Sequence, residues 1–252
     1  MNTVDKRIVF SCESVTKRYE GKAVVEDIGL ELPEGGLISL LGPSGVGKTT
    51  LFNVLSGVDL PDAGRIVLAG DDITGVSGRV SYMMQKDLLL EYRTVLDNII
   101  LPLLIRGRKK KEAREYGASF FPRFGLSGCE TKYPRQLSGG MRQRAALLRT
   151  CLLENPVILL DEPFSALDSL TRRSMQRWFV EIAAAMNFAA IFITHDIEEA
   201  IVLSDKVYIM TGTPGRISGC FEVGAARPRD GGFSVSDAFV HIKKDILAAI
   251  GN

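Results

Sequence analysis

The sequence feature that most constrains the fold is GPSGVGKT, which runs from Gly42 to Thr49. An apolar run, Leu37–Leu41, precedes it and a helical pattern begins at Thr50, so the segment matches the phosphate-loop pattern GxxxxGK[ST] between a strand and a helix. A Gly-rich turn that matches by chance is the alternative, and the strand and helix on either side argue against it. The segment therefore predicts an α/β unit that binds nucleotide phosphates.

The residue types in this loop suit phosphate chemistry. Glycines let the backbone turn so that successive N–H groups face phosphate oxygens, and the following helix adds its positive N-terminal end. Lys48 supplies a positive charge, and the Thr49 hydroxyl is placed to ligate Mg²⁺, the usual companion of such phosphates. The candidate ATP-binding residues of the loop are Gly42, Pro43, Ser44, Gly45, Val46, Gly47, Lys48, Thr49 and Thr50.

Composition limits the classes of protein to consider. The chain has 252 residues and is 46% hydrophobic, enough for a globular core. Its 31 Lys and Arg against 30 Asp and Glu give a formal net charge of +1, so the net charge does not favour binding of nucleic acid. The four cysteines form no CxxC pair, which favours reduced structural thiols. No apolar run approaches the roughly 18 residues of a membrane span, and the N-terminal MNTVDKR lacks the apolar core of a signal peptide.

Two kinds of strand pattern are present. Apolar residues alternate over Ile28–Leu32, which predicts an antiparallel sheet with one wet face near the N-terminus. Tyr19 is expected between the strands of this region. Val157–Leu160 and Ala189–Thr194 are continuous apolar runs, which are typical of strands buried on both faces of a parallel sheet.

Helical patterns fill the middle of the chain. Thr94 can cap a helix through Leu104, a basic helix follows from Arg108, and Ser138 opens a third helix. Pro122 is expected to break the second. We therefore predict a single domain over residues 1–252, with a nucleotide-binding α/β core and β-subdomain over 1–86 and 151–225, a helical subdomain over 87–150 and a C-terminal helix over 226–252.

The first buried run ends in Asp161-Glu162. Parallel strands present their carboxyl ends at one edge of a sheet, and the strand before GPSGVGKT ends at the same edge. Asp161 would then hold Mg²⁺, and Glu162 would polarise an attacking water. An acidic helix N-terminus before Pro163 is the structural alternative, since acidic residues are favourable there.

The segment LSGGMRQR, Leu137 to Arg144, breaks a local rule. Ser138 is a good N-cap, but Gly139-Gly140 begins the helix where alanine would stabilise it more. Open N–H groups at a helix start suit an anion, which suggests close approach by a ligand. A glycine hinge between subdomains is the alternative.

Six motifs occur together in chain order: GPSGVGKT, Gln85, LSGGMRQR, VILLDEP, SALD at Ser165–Asp168, and His195. This set resembles the ATP-binding subunits of ABC transporters, and the resemblance covers essentially the whole chain. It implies a P-loop NTPase (RecA-like) α/β core with an N-terminal antiparallel β-subdomain and an inserted α-helical subdomain. It also implies a head-to-tail homodimer in which each ATP, with Mg²⁺, lies between the phosphate loop of one copy and the LSGG helix of the other.

The resemblance further implies roles for individual residues. Tyr19 would stack on adenine, and Gln85 would contact Mg²⁺ and the attacking water. Glu162 would be the catalytic base, and His195 would contact the γ-phosphate. Asp161 and Thr49 complete the candidate Mg²⁺ ligands. The contacts that would come in trans, from the opposing copy, are Ser138, Gly139, Gly140 and Asp168.

Simpler interpretations of some residues stay open. Tyr19 could pack within the sheet, since aromatic residues favour strands. His195 could interact with Asp196, which together with Glu199 resembles a capping box. The basic cluster within Arg106–Lys111 is more typical of a solvated helix start than of a binding surface.

A narrower resemblance is visible in QKDLLLEYRTVLDNI at Gln85–Ile99, DEPFSALD at Asp161–Asp168 and TPGRI at Thr213–Ile217. These segments look like the importer branch that serves nitrate, sulfonates, taurine and related solutes, although Glu91-Tyr92 stands where that branch commonly carries Pro-Trp. The implied protein is a peripheral ATPase on the cytoplasmic face of the membrane. It would drive import through separate transmembrane permease subunits, with an extracytoplasmic solute-binding protein and no nucleic-acid partner.

Three alternatives to an importer subunit differ in what they require of the sequence. A soluble ABC ATPase that acts on ribosomes or DNA usually carries two motif sets or a long coiled-coil insert, and this chain has one set and no sustained heptads. A small-molecule kinase would leave LSGGMRQR and SALD without a role. The ATPase subunit of an exporter stays open, because this half of a transporter carries little information on the direction of transport.

Overall fold

The computed structural model describes residues 7–165, 167–229 and 231–250, which form two β-sheets flanked by helices. Predictions that concern residues 1–6, Ala166 of SALD and residues 251–252 lie outside the described part. The strands are β1 (Ile8–Tyr19), β2 (Lys22–Pro33), β3 (Leu37–Leu41), β4 (Ala63–Leu68), β5 (Asp71–Asp72), β6 (Ser81–Met83), β7 (Val157–Asp161), β8 (Ala189–Thr194), β9 (Lys206–Thr211) and β10 (Arg216–Glu222). The α-helices are α1 (Lys48–Leu55), α2 (Val95–Ile99), α3 (Leu101–Ile105), α4 (Lys110–Ser119), α5 (Gly139–Cys151), α6 (Ser169–Met186), α7 (Ile197–Leu203) and α8 (Asp237–Ile250).

The larger sheet holds the strands that the apolar runs predict. Its order is β10-β9-β3-β8-β7-β6, with β10 antiparallel at one edge and the others parallel. Every residue of β3, β7 and β8 is buried. Successive residues of β8 enter two hydrophobic clusters on opposite faces, Phe192 in one and Ile191 and Ile193 in the other, which explains why the run is apolar throughout.

The smaller sheet is antiparallel, as the alternating pattern predicts. Its order is β2-β1-β4-β5. In β2, Ile28 and Leu30 are buried while Glu31 is exposed, so one face is wet. Tyr19 is the last residue of β1 and pairs with Lys22, whereas the sequence predicts a position between the strands; β1 is simply longer than its apolar residues show.

The helix predicted from Thr94 is instead two helices, α2 and α3, which meet at Ile100. Thr94 caps α2 as predicted, because its Oγ1 accepts a hydrogen bond from the Asp97 N–H at 3.2 Å. Pro102 explains the break, since it has no N–H to donate to the carbonyl four residues earlier. Helix α4 ends before Pro122, also as predicted.

The C-terminal helix predicted over 226–252 begins only at Asp237, after a segment that one arginine ties to α7. Arg229 is 9% exposed, and its guanidinium donates to the carbonyl oxygens of Ile201, Val202 and Ser204 at 2.8, 3.0 and 2.7 Å. These carbonyls lie at the end of α7, where they lack helical partners. The segment is therefore anchored before α8 starts, which is why the helix is shorter than the range predicts.

Two further findings concern membrane spans and cysteines. No helix among them is both long and apolar enough to cross a bilayer. The four cysteines are free thiols, and three of them are buried. Burial raises the pKa of Cys12 and of Cys151 to about 12, so these two thiols stay protonated and unreactive.

Candidate active site

A cleft opens at the carboxyl edge of the larger sheet, where β3, β6, β7 and β8 end. Its volume is about 430 Å³, within the range of small-molecule sites. The described residues that line it come from the phosphate loop, the ends of three further strands and β2: Val24, Ser44, Gly45, Gly47, Lys48, Thr49, Thr50, Gln85, Asp161, Glu162, Ile193 and His195. Motifs far apart in the sequence therefore meet in one cleft.

Two glycines of the phosphate loop are required by contacts within the chain. A Cβ at Gly42 would lie 2.3 Å from the carbonyl oxygen of Met210, and one at Gly47 would lie 2.6 Å from Cγ1 of Val25. Gly45 and Gly47 have φ of 81° and 105°, which residues with a Cβ rarely adopt. Around Gly45 no described atom beyond its chain neighbours lies within 4 Å of that position, so its backbone is open to a ligand.

The charge of Lys48 is held by backbone carbonyls. Its Nζ donates hydrogen bonds to the carbonyl oxygens of Gly42 and Pro43, each at 2.8 Å, and the residue is 7% exposed. Burial lowers the pKa of Lys48, although the carboxylates of Asp161 and Glu162 oppose that shift. Phosphate oxygens would be better partners than carbonyls, because hydrogen bonds between charged groups are about twice as strong as neutral ones.

Asp161 and Thr49 bring two oxygens together at the end of β7. The Thr49 hydroxyl donates to Oδ2 of Asp161 at 2.9 Å, and the Tyr82 hydroxyl donates to the same oxygen at 3.4 Å. Burial raises the pKa of Asp161, and the two hydrogen bonds and the charge of Lys48 offset that shift only in part. The described residues contain no group of three or more His, Cys, Asp or Glu that could hold a metal ion. A hydroxyl and one carboxylate nevertheless suit Mg²⁺, which keeps several waters and takes further oxygens from phosphates.

Glu162 is held between Gln85 and His195. Nε2 of Gln85 donates to Oε2 of Glu162 at 3.0 Å, and Nδ1 of His195 lies 3.2 Å from Oε1. Glu162 has a φ of 46°, a left-handed conformation that is uncommon for a residue with a side chain and that often marks functional sites. Glu162 therefore contacts both of the other catalytic candidates in the cleft.

Tyr19 is not among the described residues that line this cleft. Its hydroxyl donates to Oδ2 of Asp59 at 2.5 Å, and Nζ of Lys17 lies 5.0 Å from the ring centroid. The hydrogen bond to Asp59 raises the pKa of Tyr19 to about 12, so the hydroxyl stays protonated. The residue is 44% exposed, which leaves ring surface accessible, and its stacking on adenine stays a prediction.

The four residues predicted to act in trans are likewise absent from the described lining of the cleft. Ser138 is the N-cap of α5, and its Oγ accepts from an N–H of that helix at 3.3 Å. Asp168 is the N-cap of α6 and accepts from the Thr171 N–H at 3.1 Å. A Cβ at Gly140 would lie 3.3 Å from Cγ2 of Thr171, while one at Gly139 would have no described atom within 4 Å beyond its chain neighbours. The contact of these residues with a second nucleotide stays a prediction.

Sequence reasoning missed several residues of the site. Val24 and Ile193 line the cleft, and Tyr82 contacts Asp161, but no motif contains these three residues. Gly215 packs on the phosphate loop, because a Cβ there would lie 2.1 Å from the carbonyl oxygen of Val46. Only Gly215 had a signal in the sequence, since it belongs to the segment TPGRI.

Comparisons with known proteins agree with the geometry of the cleft. Residues 25–165 match the family model described as ABC transporter. The formylaminopyrimidine import ATP-binding protein ThiZ of Halalkalibacterium halodurans is 45% identical over 203 residues, which cover 80% of this chain and 79% of that protein. The aliphatic sulfonates import ATP-binding protein SsuB 2 of Burkholderia cenocepacia is 36% identical over 214 residues, covering 85% and 78%.

Solved structures resemble this fold closely. A dimeric structure of a post-hydrolysis state of the ATP-binding cassette MJ0796, bound to ADP and Pi, has a TM-score of 0.74 at 25% identity and covers 86% of this chain and 100% of that chain. The ATP-binding cassette MJ1267 has a TM-score of 0.78 at 20% identity, with 86% and 92% covered, and supports the fold alone. From the cleft, the family match and these relatives together, the chain belongs to the ATP-binding subunits of ABC transporters, is an ATPase, and has the P-loop NTPase fold.

Proposed function

We propose that this chain is the peripheral ATP-hydrolysing subunit of an importer, in which two copies enclose ATP and drive a separate transmembrane permease. The observation that carries the proposal is the direct contact of Glu162 with Gln85 and His195 beside the phosphate loop. In this reaction Glu162 accepts a proton from the attacking water, His195 contacts the γ-phosphate, and Lys48 holds phosphate oxygens. The two partners of Glu162 orient its carboxylate before the substrate binds.

The candidate Mg²⁺ ligands are Thr49, Asp161 and Gln85, which line the same cleft. The ion would supply neutralisation of phosphate charge. The raised pKa of Asp161 supports this assignment, because a nearby cation offsets the cost of keeping a buried carboxylate ionised.

The signature helix, which is α5 with its N-cap Ser138, supports a site shared between two copies. Ser138, Gly139 and Gly140 lie away from the cleft of their own chain, yet Gly139 offers open space at the start of α5. In a head-to-tail dimer, Ser138, Gly139 and Gly140 close on the γ-phosphate of the ATP bound to the other copy. Asp168 orders the interface between the two copies. The paired cassettes of MJ0796, a relative at 25% identity, support this arrangement. Tyr19 stacks on adenine at the rim.

The residues after Gln85 are tied to the signature helix, which supports transmission of motion to the permease. Arg149 of α5 donates to the carbonyl oxygens of Asp87 and Leu88 at 2.6 and 2.7 Å, and Nε of Arg142 lies 3.3 Å from Oδ2 of Asp87. Closure of α5 on a nucleotide therefore moves this loop as well. The proposed units are a nucleotide-binding core with β-subdomain over 1–86 and 151–225, a coupling helical subdomain over 87–150 and a C-terminal segment over 226–252.

Relatives support import of a small solute. Their names include import of formylaminopyrimidine, of sulfate or thiosulfate, and of aliphatic sulfonates. We assign to this chain a small anion or related solute such as nitrate, a sulfonate or taurine, delivered by an extracytoplasmic solute-binding protein. The subunit acts at the cytoplasmic face of the membrane and binds no nucleic acid.

The shared site is tested in the Glu162→Gln background, in which we expect hydrolysis to be slow enough for ATP-bound protein to accumulate. We expect an ATP-dependent dimer in size-exclusion chromatography with light scattering, and a monomer when Ser138→Arg is added. Ser119→Arg is the matched control, since Ser119 is an exposed serine at the end of α4. A normal dimer with Ser138→Arg contradicts the shared site.

Import is tested in cells that contain the native permease. Uptake of labelled nitrate, sulfate, taurine, an alkanesulfonate and formylaminopyrimidine is compared between wild type and Glu162→Gln. Loss of uptake of one solute supports import and identifies that solute. Increased retention of a solute in the variant cells indicates an exporter, and stimulation of ATP hydrolysis by RNA without any effect on uptake indicates a soluble ABC ATPase.

A further inference from the structure

The loop between β8 and α7, which carries His195, is held by hydrogen bonds that differ from the predicted capping box. Asp196 caps α7, and its Oδ1 accepts from the N–H groups of Glu198 and Glu199 at 2.9 and 3.1 Å. A capping box would return the Glu199 side chain to the Asp196 N–H. Instead that N–H donates to Oγ1 of Thr194 at 3.0 Å, and the Thr194 hydroxyl donates to Oε2 of Glu199 at 2.9 Å. The second half of the capping-box prediction is therefore wrong.

The Thr194 hydroxyl joins the backbone on both sides of His195. It belongs to the residue before the histidine and accepts from the N–H of the residue after it, so its orientation restrains the turn at His195. A hydroxyl has one hydrogen to donate. Because the Thr194 hydroxyl donates it to Glu199, an oxygen lone pair is free to accept the hydrogen bond from the Asp196 N–H. The His195 side chain is 60% exposed, so packing does not fix it and its direction depends on this backbone.

Burying a carboxyl group at position 199 lowers the stability of the folded chain. Glu199 is 8% exposed, and within the described residues its Oε1 is buried without a hydrogen-bond partner. Burial raises the pKa of Glu199 to about 7, with Asp196 adding to the shift and Arg172 opposing it. An apolar side chain of similar size would fill the space without this cost. Packing alone therefore does not account for a carboxyl group here.

We propose that Glu199 is a positioning residue for ATP hydrolysis, which acts through the Thr194 hydroxyl to orient the His195 loop toward Glu162. The proposal rests on the catalytic role of His195 proposed above. Glu199 lines, together with Glu162 and His195, a cavity of about 20 Å³, room for about one water. No hydrogen bond between Glu199 and Glu162 is present among the described contacts, so the effect passes through Thr194 and the loop.

Steady-state hydrolysis of Mg-ATP by the full chain tests the hydrogen bond. Glu199→Gln keeps an acceptor for Thr194, and we expect kcat within about threefold of wild type. Glu199→Met removes the acceptor, and we expect kcat to fall about tenfold while KM changes less than about twofold. Thr194→Ser should resemble the wild type and Thr194→Val should resemble Glu199→Met, which keeps the test valid if Glu199→Met does not fold. Wild-type kcat in both Glu199→Met and Thr194→Val overturns the proposal.

A double-mutant cycle separates positioning from general packing. In a His195→Ala background, Glu199→Met should cause no further fall in kcat, because its effect passes through His195. A further fall of about tenfold in that background would show that Glu199 acts independently and overturn the proposal. Wild-type kcat in His195→Ala alone would instead remove His195 from the proposed mechanism, and the role of Glu199 with it.

NMR of histidine-labelled protein adds a readout that does not depend on turnover. The chain has two histidines, His195 and His241, and the second lies on α8. We expect Glu199→Met and Thr194→Val to shift or broaden the His195 imidazole resonance while His241 stays unchanged. An unchanged His195 resonance overturns the proposal, and equal changes at both histidines indicate a general structural defect, which overturns it as well.

Discussion

The phosphate loop and the signature helix both carry glycines, but for different physical reasons. At Gly42 a Cβ would lie 2.3 Å from a backbone oxygen of the same chain, so the folded chain itself requires glycine. At Gly139 the described atoms beyond its chain neighbours leave that position open to 4 Å, and alanine would suit a helix better. The single chain accounts for the first glycine and not for the second, whose reason we assign to contact with another molecule.

The two regions also differ in how their polar groups are arranged. In the cleft, Lys48 and Asp161 are buried, and hydrogen bonds to the Gly42 and Pro43 carbonyls and from the Thr49 hydroxyl hold their side chains in place before any ligand binds. Ser138 and Gly139 are exposed. One half of the proposed site is therefore preorganised within the chain, and the other half becomes useful only when a second copy brings it to the phosphate.

The largest expected effect concerns the preorganised half. Glu162→Gln keeps the shape of the side chain but removes the proton acceptor, and we expect kcat for ATP hydrolysis to fall about 10³-fold. ATP binding, measured with a fluorescent analogue, should stay near the wild-type value. Unchanged turnover would remove Glu162 from the mechanism and would make the contact with Gln85 and His195 a structural one.

The next effect concerns the stability of the phosphate loop. Gly42→Ala forces a Cβ against the Met210 carbonyl, and we expect the free energy of unfolding to fall by about 3 kcal/mol, with loss of ATP binding. Gly224→Ala is the control, because a Cβ there meets no described atom within 4 Å beyond its chain neighbours. Denaturant unfolding measures both. If the two variants are equally stable, close packing does not explain Gly42.

A third prediction uses the buried carboxyl beside the cleft. Burial raises the pKa of Glu199 from 4.5 to about 7 in the folded chain, so folding takes up a proton in this window and wild-type stability falls as the pH rises through it. Glu199→Gln lacks this fall. As the pH rises from 4.5 to 7, we expect the unfolding free energy of the wild type to fall by about 2 to 3 kcal/mol relative to that of Glu199→Gln.

Glu198→Gln is the matched control for this measurement. Its side chain is 57% exposed and pairs with Lys243, so this variant changes an exposed carboxyl group in place of a buried one. Besides Asp196, the groups that face Glu199 are Arg172 and Gln176 of α6. If the unfolding free energies of the wild type and Glu199→Gln change in parallel with pH, the pKa of Glu199 is not raised in the folded chain and the prediction is wrong.

The smallest expected effect concerns the signature helix. Gly139→Ala should leave the unfolding free energy unchanged or raise it by up to about 1 kcal/mol, because alanine favours helix formation. The same variant should weaken ATP-dependent dimerisation in the Glu162→Gln background. A loss of stability similar to that of Gly42→Ala would erase the contrast between the two regions, since the chain itself would then need both glycines.

Much of the site follows from local sequence because its parts are short-range devices. The phosphate loop is a turn between a strand and a helix, continuous apolar runs predict β7 and β8, and hydrogen-bonding caps at Thr94, Ser138 and Asp196 start helices where the side-chain oxygens predict them. Carboxyl ends of parallel strands meet at one edge, so the proximity of Glu162 and His195 follows from the pattern as well.

What the sequence by itself determined was which segments form the cleft and which chemistry their side chains can supply. Only the tertiary structure decided which partner each side chain takes. Glu199 accepts a hydrogen bond from Thr194 and not from the Asp196 N–H. Gly215 packs against the backbone of Val46, and the Tyr19 hydroxyl donates a hydrogen bond to Asp59. Caps and turns depend on residues a few positions apart, whereas these contacts depend on how whole strands and helices pack, and no local pattern in the chain records that.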